Sequence, residues 1–311
     1  MKSFLRHTFI LFILQRIVSS SSLYPISNLE ASLAASNAQG TTVAIRCNEG
    51  IVLITMSPKD ESCVLQSSHE QQQSMVEISE NDVEGFVPII SRGETISKSV
   101  KVLQEKNGLV MSLTGFAPDC NYVTRYAAGA VSEHEFIYGG EFLGCQSLVR
   151  DTLAPLLREK TMGNGNRPLG IQAMVIGGEK VGNREQTLVT LDPSGNIRYW
   201  AQHAVIGKHS DIVKRYLTSV SSNATTDKQR QISTWKDALQ LGLSAILQGI
   251  EESKNINEMS TEAILKDIDC FILWRQASSS FGKCATIKRA LVSKTLCTCV
   301  DDRNKAAKQD S

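Results

Sequence analysis

The first third of the chain contains two pairs of apolar runs, each pair interrupted by turn residues. Residues 42–45 and 51–55 are separated by Arg-Cys-Asn-Glu-Gly, in which Gly50 supplies the positive φ that tight hairpin turns require. A second pair lies within 99–115, around a turn at Lys106-Asn107-Gly108. The pattern predicts two antiparallel hairpins in this part of the chain.

The Ala-rich composition of 29–37 predicts a short helix, and further helices are predicted at 118–137, about 142–160, 210–220 and 234–252, the longer ones from apolar residues at helical spacing. Gly40 is expected to stop the first helix, and Gly-Asn-Gly-Asn is expected to end the third. The residues at helical spacing in the two long central helices are Tyr122, Val123, Tyr126, Ala127, Ala130 and Val131 in the first, and Leu148, Val149, Thr152, Leu153, Leu156 and Leu157 in the second.

Further strands are predicted at 169–178 and within 186–207, where Asp192-Pro-Ser-Gly195 forms a tight turn, and a last strand at 269–274. Consecutive hairpins require antiparallel sheet, and two pairs of helices require two sheet faces to cover. We therefore predict an α+β fold, a four-layer α/β/β/α sandwich. A Rossmann fold would need strands that alternate singly with helices and a Gly-rich phosphate loop, and the sequence shows neither.

Composition divides the chain into one core domain and three atypical segments. The core domain is expected at 28–300. Within it, residues 59–97 are rich in Gln, Ser and Glu and predict an exposed, partly disordered insertion. Residues 301–311 are charged and predict a loose tail. Residues 1–27 form a targeting-like N-terminal segment.

The N-terminal segment has basic residues, then a short apolar run, then small polar residues. This order is typical of a secretory signal, but the run at 9–14 ends at Gln15 and is shorter than the usual ~7–15 residues. No acid occurs before Glu30, which favours an organellar transit peptide; a non-targeting extension or a wrongly chosen start is the third interpretation. The segment is too short and interrupted to span a bilayer. Asn223 begins a glycosylation sequon that matters only on the secretory route.

Charge and cysteine content argue against several classes of function. The 311 residues carry a formal net charge of +1, which gives no long-range field to attract nucleic acid. The eight cysteines and five histidines lack metal-ligand spacing, and the one close pair, Cys297-Thr-Cys299, is a weak metal signal. No motif implies a nucleotide or an organic cofactor. We expect no metal, no cofactor and no nucleic-acid partner.

The sequence Gly40-Thr41-Thr42, at the head of the first predicted strand, raises the question of an N-terminal nucleophile. If the chain were cut after Gly40, Thr41 would carry a hydroxyl nucleophile and a free amine to act as its base. The helix at 29–37 would then be discarded, although its amphipathic Leu29 and Leu33 suit packing better than removal.

Several motifs resemble those of 20S proteasome subunits of the non-catalytic α type, over roughly residues 28–275 apart from the insertion. The stretch LDPSGNIRYWAQHAVIGKHS (191–210) resembles an α-type segment and is the most specific match. Three further stretches resemble α-type segments. The segment that starts the family's second sheet is similar to GNRPLGIQAMVIGG (165–178), and the one that starts its first long helix is similar to LTGFAPDCNYVTRYA (113–127). The segment that leads into its first strand is similar to NLEASLAASNAQGTTVAIR (28–46). The motif residues are Arg167, Pro168, Gly170, Asp192, Pro193, Ser194 and Gly195.

The resemblance implies that the catalytic position carries no nucleophile. In catalytic relatives the nucleophilic Thr stands ten positions before the glycine of the first hairpin. Here that place is Gly40, and Thr41 is only nine positions before Gly50. The supporting Asp of the family is replaced within Met56-Ser57-Pro58, so the expected carboxylate is absent.

Lys101 stands fourteen positions before Gly115, where the family has a lysine in both of its types. In catalytic relatives this lysine activates the nucleophile. In α-type subunits it lines a pocket between neighbouring subunits, where the C-terminal carboxylate of an activator binds. The resemblance implies the second role for Lys101, and an ordinary solvated lysine is the alternative.

The chain departs from the family in its N-terminal tail. It has Ser-Ser-Ser-Ser-Leu-Tyr-Pro-Ile-Ser (19–27) where the family has the gate over the channel, so a gating role is not implied. Leu169 replaces the Phe of the Arg-Pro-Phe-Gly motif, which is a mild change of packing volume.

The resemblance implies a structural subunit of the 20S core particle. Its expected role is ring assembly, substrate entry and docking of regulatory caps in ubiquitin-dependent protein degradation, in the cytoplasm and nucleus. Its expected partners are the other α- and β-type subunits of heptameric rings. Two alternatives remain open: a Thr-dependent hydrolase in which Thr41 is freed by autoprocessing and assisted by Lys101, and a relative that has left the ring for a membrane-bounded compartment.

Overall fold

The computed structural model describes residues 28–57, 86–88, 99–104, 108–163, 167–179, 186–222, 232–252, 261–274 and 284–309. The strands in these ranges form two antiparallel sheets packed face to face, and helices cover the outer face of each sheet. The predicted α/β/β/α sandwich is therefore confirmed. A first helix, α1 (28–36), precedes the first strand. Among the described residues, no helix is both long and apolar enough to cross a membrane.

Sheet A is formed by β1 (Thr41–Cys47), β2 (Gly50–Met56), β3 (Phe86–Pro88), β9 (His203–Gly207), β10 (Ile268–Trp274) and β11 (Cys284–Ile287). Their order across the sheet is β3-β11-β10-β2-β1-β9. β1 and β2 form the first predicted hairpin, with Cys47 opposite Gly50. The first residue of β1 is paired on both sides, because Thr41 lies opposite Met56 of β2 and Gly207 of β9.

Sheet B is formed by β4 (Val100–Gln104), β5 (Leu109–Gly115), β6 (Ile171–Gly178), β7 (Gln186–Leu191) and β8 (Ile197–Tyr199), in that order. β4 and β5 form the second predicted hairpin. Gly108 precedes β5 with a φ of 62°, as expected for the turn glycine, and the other two turn residues lie outside the described ranges. The predicted turn between β7 and β8 is present, and Gly195 N donates to Asp192 O at 2.9 Å.

Three apolar clusters hold the layers together. One lies between the sheets and includes Leu53, Met174 and Phe271. The second joins sheet A to α4 (Ser210–Ser222), α5 (Trp235–Glu251), α6 (Thr261–Asp267) and α7 (Arg289–Gln309). The third joins sheet B to α2 (Ala117–Ile137) and α3 (145–162). Because the central strands β1, β2, β5 and β6 are buried along both faces, both helix layers are needed to keep them from water.

Helix α2 begins after Phe116 and has Pro118 in its first turn, where a missing N–H leaves no carbonyl unpaired. Its buried residues are Asp119, Val123, Ala127 and Val131. Tyr122 and Tyr126, which share the helical spacing of the apolar residues, are instead nearly half exposed. The buried stripe is therefore narrower than the sequence pattern suggests.

Helix α3 changes its winding in the middle. The α-helical segments Cys145–Ser147 and Ala154–Met162 flank a π-helical segment, Leu148–Leu153, and Ala154 N donates to Val149 O, five residues back. Pro155 follows directly. It lacks an N–H, and in regular α-helix its ring would collide with the carbonyl four residues back, so the wider winding before it relieves that clash.

Two parts of the chain are more structured than the sequence predicts. β3 lies within the predicted insertion at 59–97 and pairs with β11 at the edge of sheet A; the rest of that insertion lies outside the described residues. The strand at 269–274 is followed by β11 and by α7, which continues to Gln309. The predicted strand at 269–274 is present as β10, but the expectations that it is the last strand and that a loose tail begins at 301 were wrong.

Arg303 explains why the charged end of α7 is held in place. Its Nη2 donates to Ser244 O and to Gln248 Oε1, each at 2.9 Å, and its Nη1 lies 2.5 Å from Glu251 Oε1. All three partners belong to α5. A run of charged residues is usually solvated, but here one of them connects two helices, which composition alone does not indicate.

A buried carboxylate joins the start of α2 to the start of β6. The Asp119 side chain is 3% exposed and pairs with Arg167, whose side chain is 65% exposed. The second oxygen of Asp119 accepts from Gly170 N at 3.0 Å. In return, Gly170 O accepts from Phe116 N at 2.9 Å. The carboxylate therefore satisfies a buried backbone donor as well as an arginine.

Replacing Arg303 with alanine is expected to release the end of α7 from α5, because three polar contacts are lost together. We expect the free energy of unfolding to fall by about 1–2 kcal/mol, and amide hydrogen exchange in α7 to become faster. Lys294→Ala, at an exposed position of the same helix, is the control and should leave exchange unchanged. Equal exchange rates in the two variants would contradict the assignment.

Replacing Asp119 with alanine is expected to lower the free energy of unfolding by about 2–4 kcal/mol, because the Gly170 N–H loses its buried acceptor. Asp151→Ala is the matched control. Asp151 also pairs with an arginine, Arg150, but both side chains are more than half exposed, so the change should stay within about 0.5 kcal/mol. Urea unfolding of the two variants measures both values, and similar losses would rule out a special role for the buried carboxylate.

Candidate functional site

The candidate site is the end of the sandwich where β1 begins, because the resemblance puts the catalytic position at Gly40. Gly40 is buried and has a φ of 65°, a left-handed conformation that residues with side chains seldom adopt. A Cβ there would lie 3.2 Å from the Met56 carbonyl oxygen. The Gly40 carbonyl accepts a hydrogen bond of 2.7 Å from Lys208 N. Position 40 therefore carries no nucleophile and leaves little room for one.

Thr41 lies one residue further on, inside β1. Its side chain is buried, and its hydroxyl donates to the Lys208 carbonyl oxygen at 2.6 Å. Along the strand it shares a face with Val43 and Ile45, which pack beneath α5 on the outer side of sheet A. The Thr41 hydroxyl therefore points away from the space between the sheets and is already engaged by the backbone.

Hydroxyl groups lie near the position where the family has its carboxylate. Ser57, within the triplet that replaces the family's Asp, has its Oγ 3.1 Å from Ser99 Oγ. Thr42 of β1 and Ser112 of β5 have their hydroxyl oxygens 3.0 Å apart, across the two sheets. Neutral hydroxyls are poor general bases at neutral pH, so these pairs join strands rather than move protons.

Lys101 lies in β4, at one edge of sheet B. It is opposite Met111 of β5, which packs beneath α2, and directly paired residues share a face, so Lys101 also lies on the α2 side. Partial burial lowers the pKa of its ammonium group. Cys120 of α2 interacts with it electrostatically, and burial raises the pKa of that thiol to about 12.

The structure therefore places the two residues of the hydrolase alternative on different faces. Thr41 is on the outer face of sheet A, and Lys101 is on the outer face of sheet B. Both sheets lie between these two faces. A lysine can take the proton of a nucleophile only within hydrogen-bond reach, and it lowers the nucleophile's pKa strongly only within about 4–6 Å.

Helix α1 covers this end of the sandwich. It packs so closely on β6 that a Cβ at Gly170 would lie 2.6 Å from Ala35 Cβ. Gln172 of β6 donates through Nε2 to Asn37 Oδ1 at 3.1 Å and accepts through Oε1 from Gly207 N at 2.9 Å. One side chain thus links the end of α1 to both sheets.

The motif residues Arg167, Pro168 and Gly170 lie at the junction of α2 and β6. Arg167 pairs with Asp119 and also lies over the Phe116 ring, 5.6 Å from its centroid. Gly170 fits between Ala35 of α1 and the start of β6, as its contacts show. This motif therefore fixes the joint between two elements.

The second motif, Asp192-Pro193-Ser194-Gly195, forms the turn between β7 and β8. Asp192 Oδ1 accepts from Ser194 N at 2.9 Å and from Ser194 Oγ at 2.5 Å. Pro193 is buried in the turn. Gly195 has a φ of 75°, and a Cβ there would collide with the Ala154 carbonyl of α3. Glycine therefore lets the turn pack directly on α3.

Sequence reasoning missed three residues that build this end of the sandwich: Gln172, Gly207 and Lys208. Gln172 and Lys208 act on partners that are distant in sequence, and their residue types gave no signal. Gly207 could have been identified, because it is a glycine at the end of a buried strand. It has a φ of 90°, and a Cβ there would collide with the Gly40 carbonyl oxygen.

The pair Cys297-Thr-Cys299 does not converge on a common site. Both cysteines lie in α7, and residues two apart in a helix do not face each other. Cys297 is exposed, whereas Cys299 is buried against α5, with its sulfur 3.7 Å from Gln240 O. The two sulfurs therefore point to different sides of the helix.

Comparison with known proteins identifies the family. A model of the family described as "Proteasome subunit" matches residues 89–263, which is 175 of the 311 residues. The chain is 26% identical to "Proteasome subunit alpha type-2" of Dictyostelium discoideum over 245 residues, 79% of this chain and 86% of that protein. It is 27% identical to "Proteasome subunit alpha type-6" of Saccharomyces cerevisiae over 180 residues, 56% of this chain and 70% of that protein.

A shorter alignment has higher identity. The chain is 34% identical to "Proteasome subunit alpha type-8" of Mus musculus over 105 residues, 33% of this chain and 38% of that protein. All of these relatives bear α-type names, and the identities are modest. The chain belongs to the proteasome subunit family, as a divergent member of its α type.

Proposed function

We propose that the chain is a non-catalytic α-type subunit of the 20S proteasome core particle. Its role is to contribute to ring assembly, substrate entry and regulator docking in ubiquitin-dependent protein degradation, in the cytoplasm and nucleus. The proposal rests on a single observation, the conformation and hydrogen bonding of Gly40. The position that the resemblance assigns to the nucleophile is a buried glycine with a φ of 65°, and its carbonyl accepts from Lys208 N.

The contacts of α1 support the same proposal. Autoprocessing before Thr41 would remove α1, together with the packing of Ala35 on Gly170 and the bond between Asn37 and Gln172. It would also remove the Gly40 carbonyl that accepts from Lys208 N. A subunit that keeps α1 keeps these contacts, which suits a role in assembly.

The proposed partners are the other α- and β-type subunits of heptameric rings, and regulatory caps. We propose Lys101 as the docking residue for the caps. It lies on an edge strand and is only partly buried, so an arriving carboxylate can reach it. The carboxylate would offset the lost solvation that lowers the lysine pKa. No nucleic acid and no stable membrane insertion form part of the proposal.

The proposed domain organisation has one α-type domain at 28–300, with an insertion at 59–97 that contributes β3 to sheet A. Residues 1–27 remain a targeting-like segment in this proposal. Residues 301–311 are the polar end of the chain, and α7 extends into them.

N-terminal sequencing of the endogenous protein, after size-exclusion chromatography, tests this proposal. We expect a chain that still contains residues 28–40 and elutes with the mass of an assembled core particle. Thr41→Ala should leave the peptidase activity of that particle unchanged and cost about 1 kcal/mol of subunit stability, because one hydroxyl bond is lost. A mature chain that starts at Thr41 would overturn the proposal in favour of the hydrolase. A small free species would overturn it in favour of a relative outside the ring.

Peptide binding to the assembled particle tests Lys101. A synthetic peptide with a free C-terminal carboxylate should bind about tenfold more weakly to Lys101→Ala particles, and the amidated peptide should not distinguish them. Lys101→Arg keeps the charge and should retain much of the binding, and the exposed Lys236→Ala is the control. Binding needs the charged amine, whose pKa burial lowers, so affinity should fall as pH rises through that pKa. Equal binding of the two peptide forms would refute the assignment.

A further inference from the structure

One edge of sheet A is formed by β3, the short strand that the insertion at 59–97 contributes. It pairs antiparallel with β11, so that Phe86, Val87 and Pro88 lie opposite Ile287, Thr286 and Ala285. An edge strand presents unpaired N–H and C=O groups, and a strand of another chain can pair with them. Without β3, β11 would be the edge of this sheet.

The alternation of backbone hydrogen bonds determines which residue of β11 points to β3. Ser57 N donates to Asp267 O at 3.0 Å, just beyond the paired residues of β2 and β10. Successive residues of a strand point their backbone groups to opposite neighbours, so every second residue from 267 onward points to β2. Ile272 therefore points to β11, where it lies opposite Ala285. The next residue of β11, Thr286, must point its N–H and C=O to β3.

The same alternation determines the outer edge of β3. Val87 lies opposite Thr286 and exchanges both hydrogen bonds with it, so the backbone groups of Phe86 and Pro88 point outward. Proline has no N–H, and in sheets it is found on edge strands with its nitrogen turned away from the ladder. Of the two outward positions, only Phe86 can therefore donate to an added strand.

Strand β11 has no protection of its own against pairing with another strand. Its sequence, Cys-Ala-Thr-Ile, contains no charged residue and no proline, and Cys284, Ala285 and Ile287 are buried. Both edges of sheet B carry protective features. β4 has Lys101 and a register shift, and β8 spans three residues and includes the exposed Arg198. β11 therefore depends on a cover.

We propose that β11 is a strand-binding edge and that β3 is its built-in guard. The occupant of this edge is the chain's own segment 86–88, which pairs through Val87 and ends the sheet with Pro88. The guard keeps the free chain from pairing edge to edge with a second copy. The proposal goes beyond the proposed ring subunit and does not depend on it.

Removing the guard tests the proposal. Val87→Pro in the full chain deletes the N–H that bonds to Thr286 and should detach β3 from β11. Sedimentation velocity over a concentration series should then show self-association with an apparent dissociation constant at least about tenfold lower than that of the original chain. Amide hydrogen exchange in β11 should become faster at the lowest concentration, where the variant is a monomer.

A peptide supplied in trans separates loss of the guard from general damage to the fold. A synthetic peptide of residues 84–91, Glu-Gly-Phe-Val-Pro-Ile-Ile-Ser, should bind the uncovered edge of the Val87→Pro variant by strand addition. It should return the variant to the monomer and slow amide exchange in β11 again. The same peptide with proline in place of Val87 is the control and should do neither.

Two substitutions at Pro88 test the guard while the bonds between Val87 and Thr286 stay in place. Pro88→Thr restores an outward N–H in a residue that favours strands, so self-association should strengthen about threefold to tenfold. Pro88→Lys restores the same N–H and adds a charge to the edge, which opposes pairing with a second copy. It should sediment as the original chain does.

Three results would overturn the proposal. The first is a folded Val87→Pro variant that sediments as the original chain does at every concentration. The second is an association on which the two peptides have the same effect, because it would then use another surface. The third is equal behaviour of the Pro88→Thr and Pro88→Lys variants. All three concern the association state of the purified chain, whereas the ring function is decided by N-terminal sequencing and co-elution with the core particle.

Discussion

The sandwich depends on central strands that are buried on both of their faces. β1, β2, β5 and β6 are apolar along nearly their whole length, so each sheet needs a cover on its outer side as well as the opposite sheet on its inner side. This requirement accounts for the helix layers and for the ordered C-terminal helix. Val292 and Leu296 of α7 complete the cluster over sheet A, and Arg303 fixes the end of that helix.

The same tight packing shapes the end of the sandwich at Gly40. A Cβ at position 40 would meet the Met56 carbonyl oxygen, one at 207 would meet the Gly40 carbonyl oxygen, and one at 170 would meet Ala35 Cβ of α1. Several hydroxyl groups at this end bond to each other or to a carbonyl oxygen. An active site of the N-terminal nucleophile type needs an exposed amine, a free hydroxyl and charged neighbours at this end. In this chain, contacts between strands and helix α1 occupy this end of the sandwich.

Long periodic segments were predictable from the sequence, and short or cross-chain features were not. The two hairpins, α2, α5 and the sandwich follow from apolar periodicity and turn glycines. β3 and β11 span three and four residues, which is too short for a pattern to show. Counting back from the hairpin glycine pointed to position 40, where the structure has a buried glycine with a positive φ. The roles of Gln172 and Lys208 were not predictable, because their partners are brought together only by pairing of distant strands.

The conformation at Gly40 also limits which side chains this position could accept. A threonine there would be a β-branched residue at a φ of 65°, with its Cβ 3.2 Å from the Met56 carbonyl oxygen. Thr41 cannot take over where it stands, because its hydroxyl is bonded and faces the outer layer. A single substitution at either position would therefore not create an N-terminal nucleophile site, because the backbone before β1, a nearby carboxylate and the retention of α1 would have to change together. Backbone geometry, rather than the identity of one side chain, therefore limits what point mutations can change at this end of the sandwich.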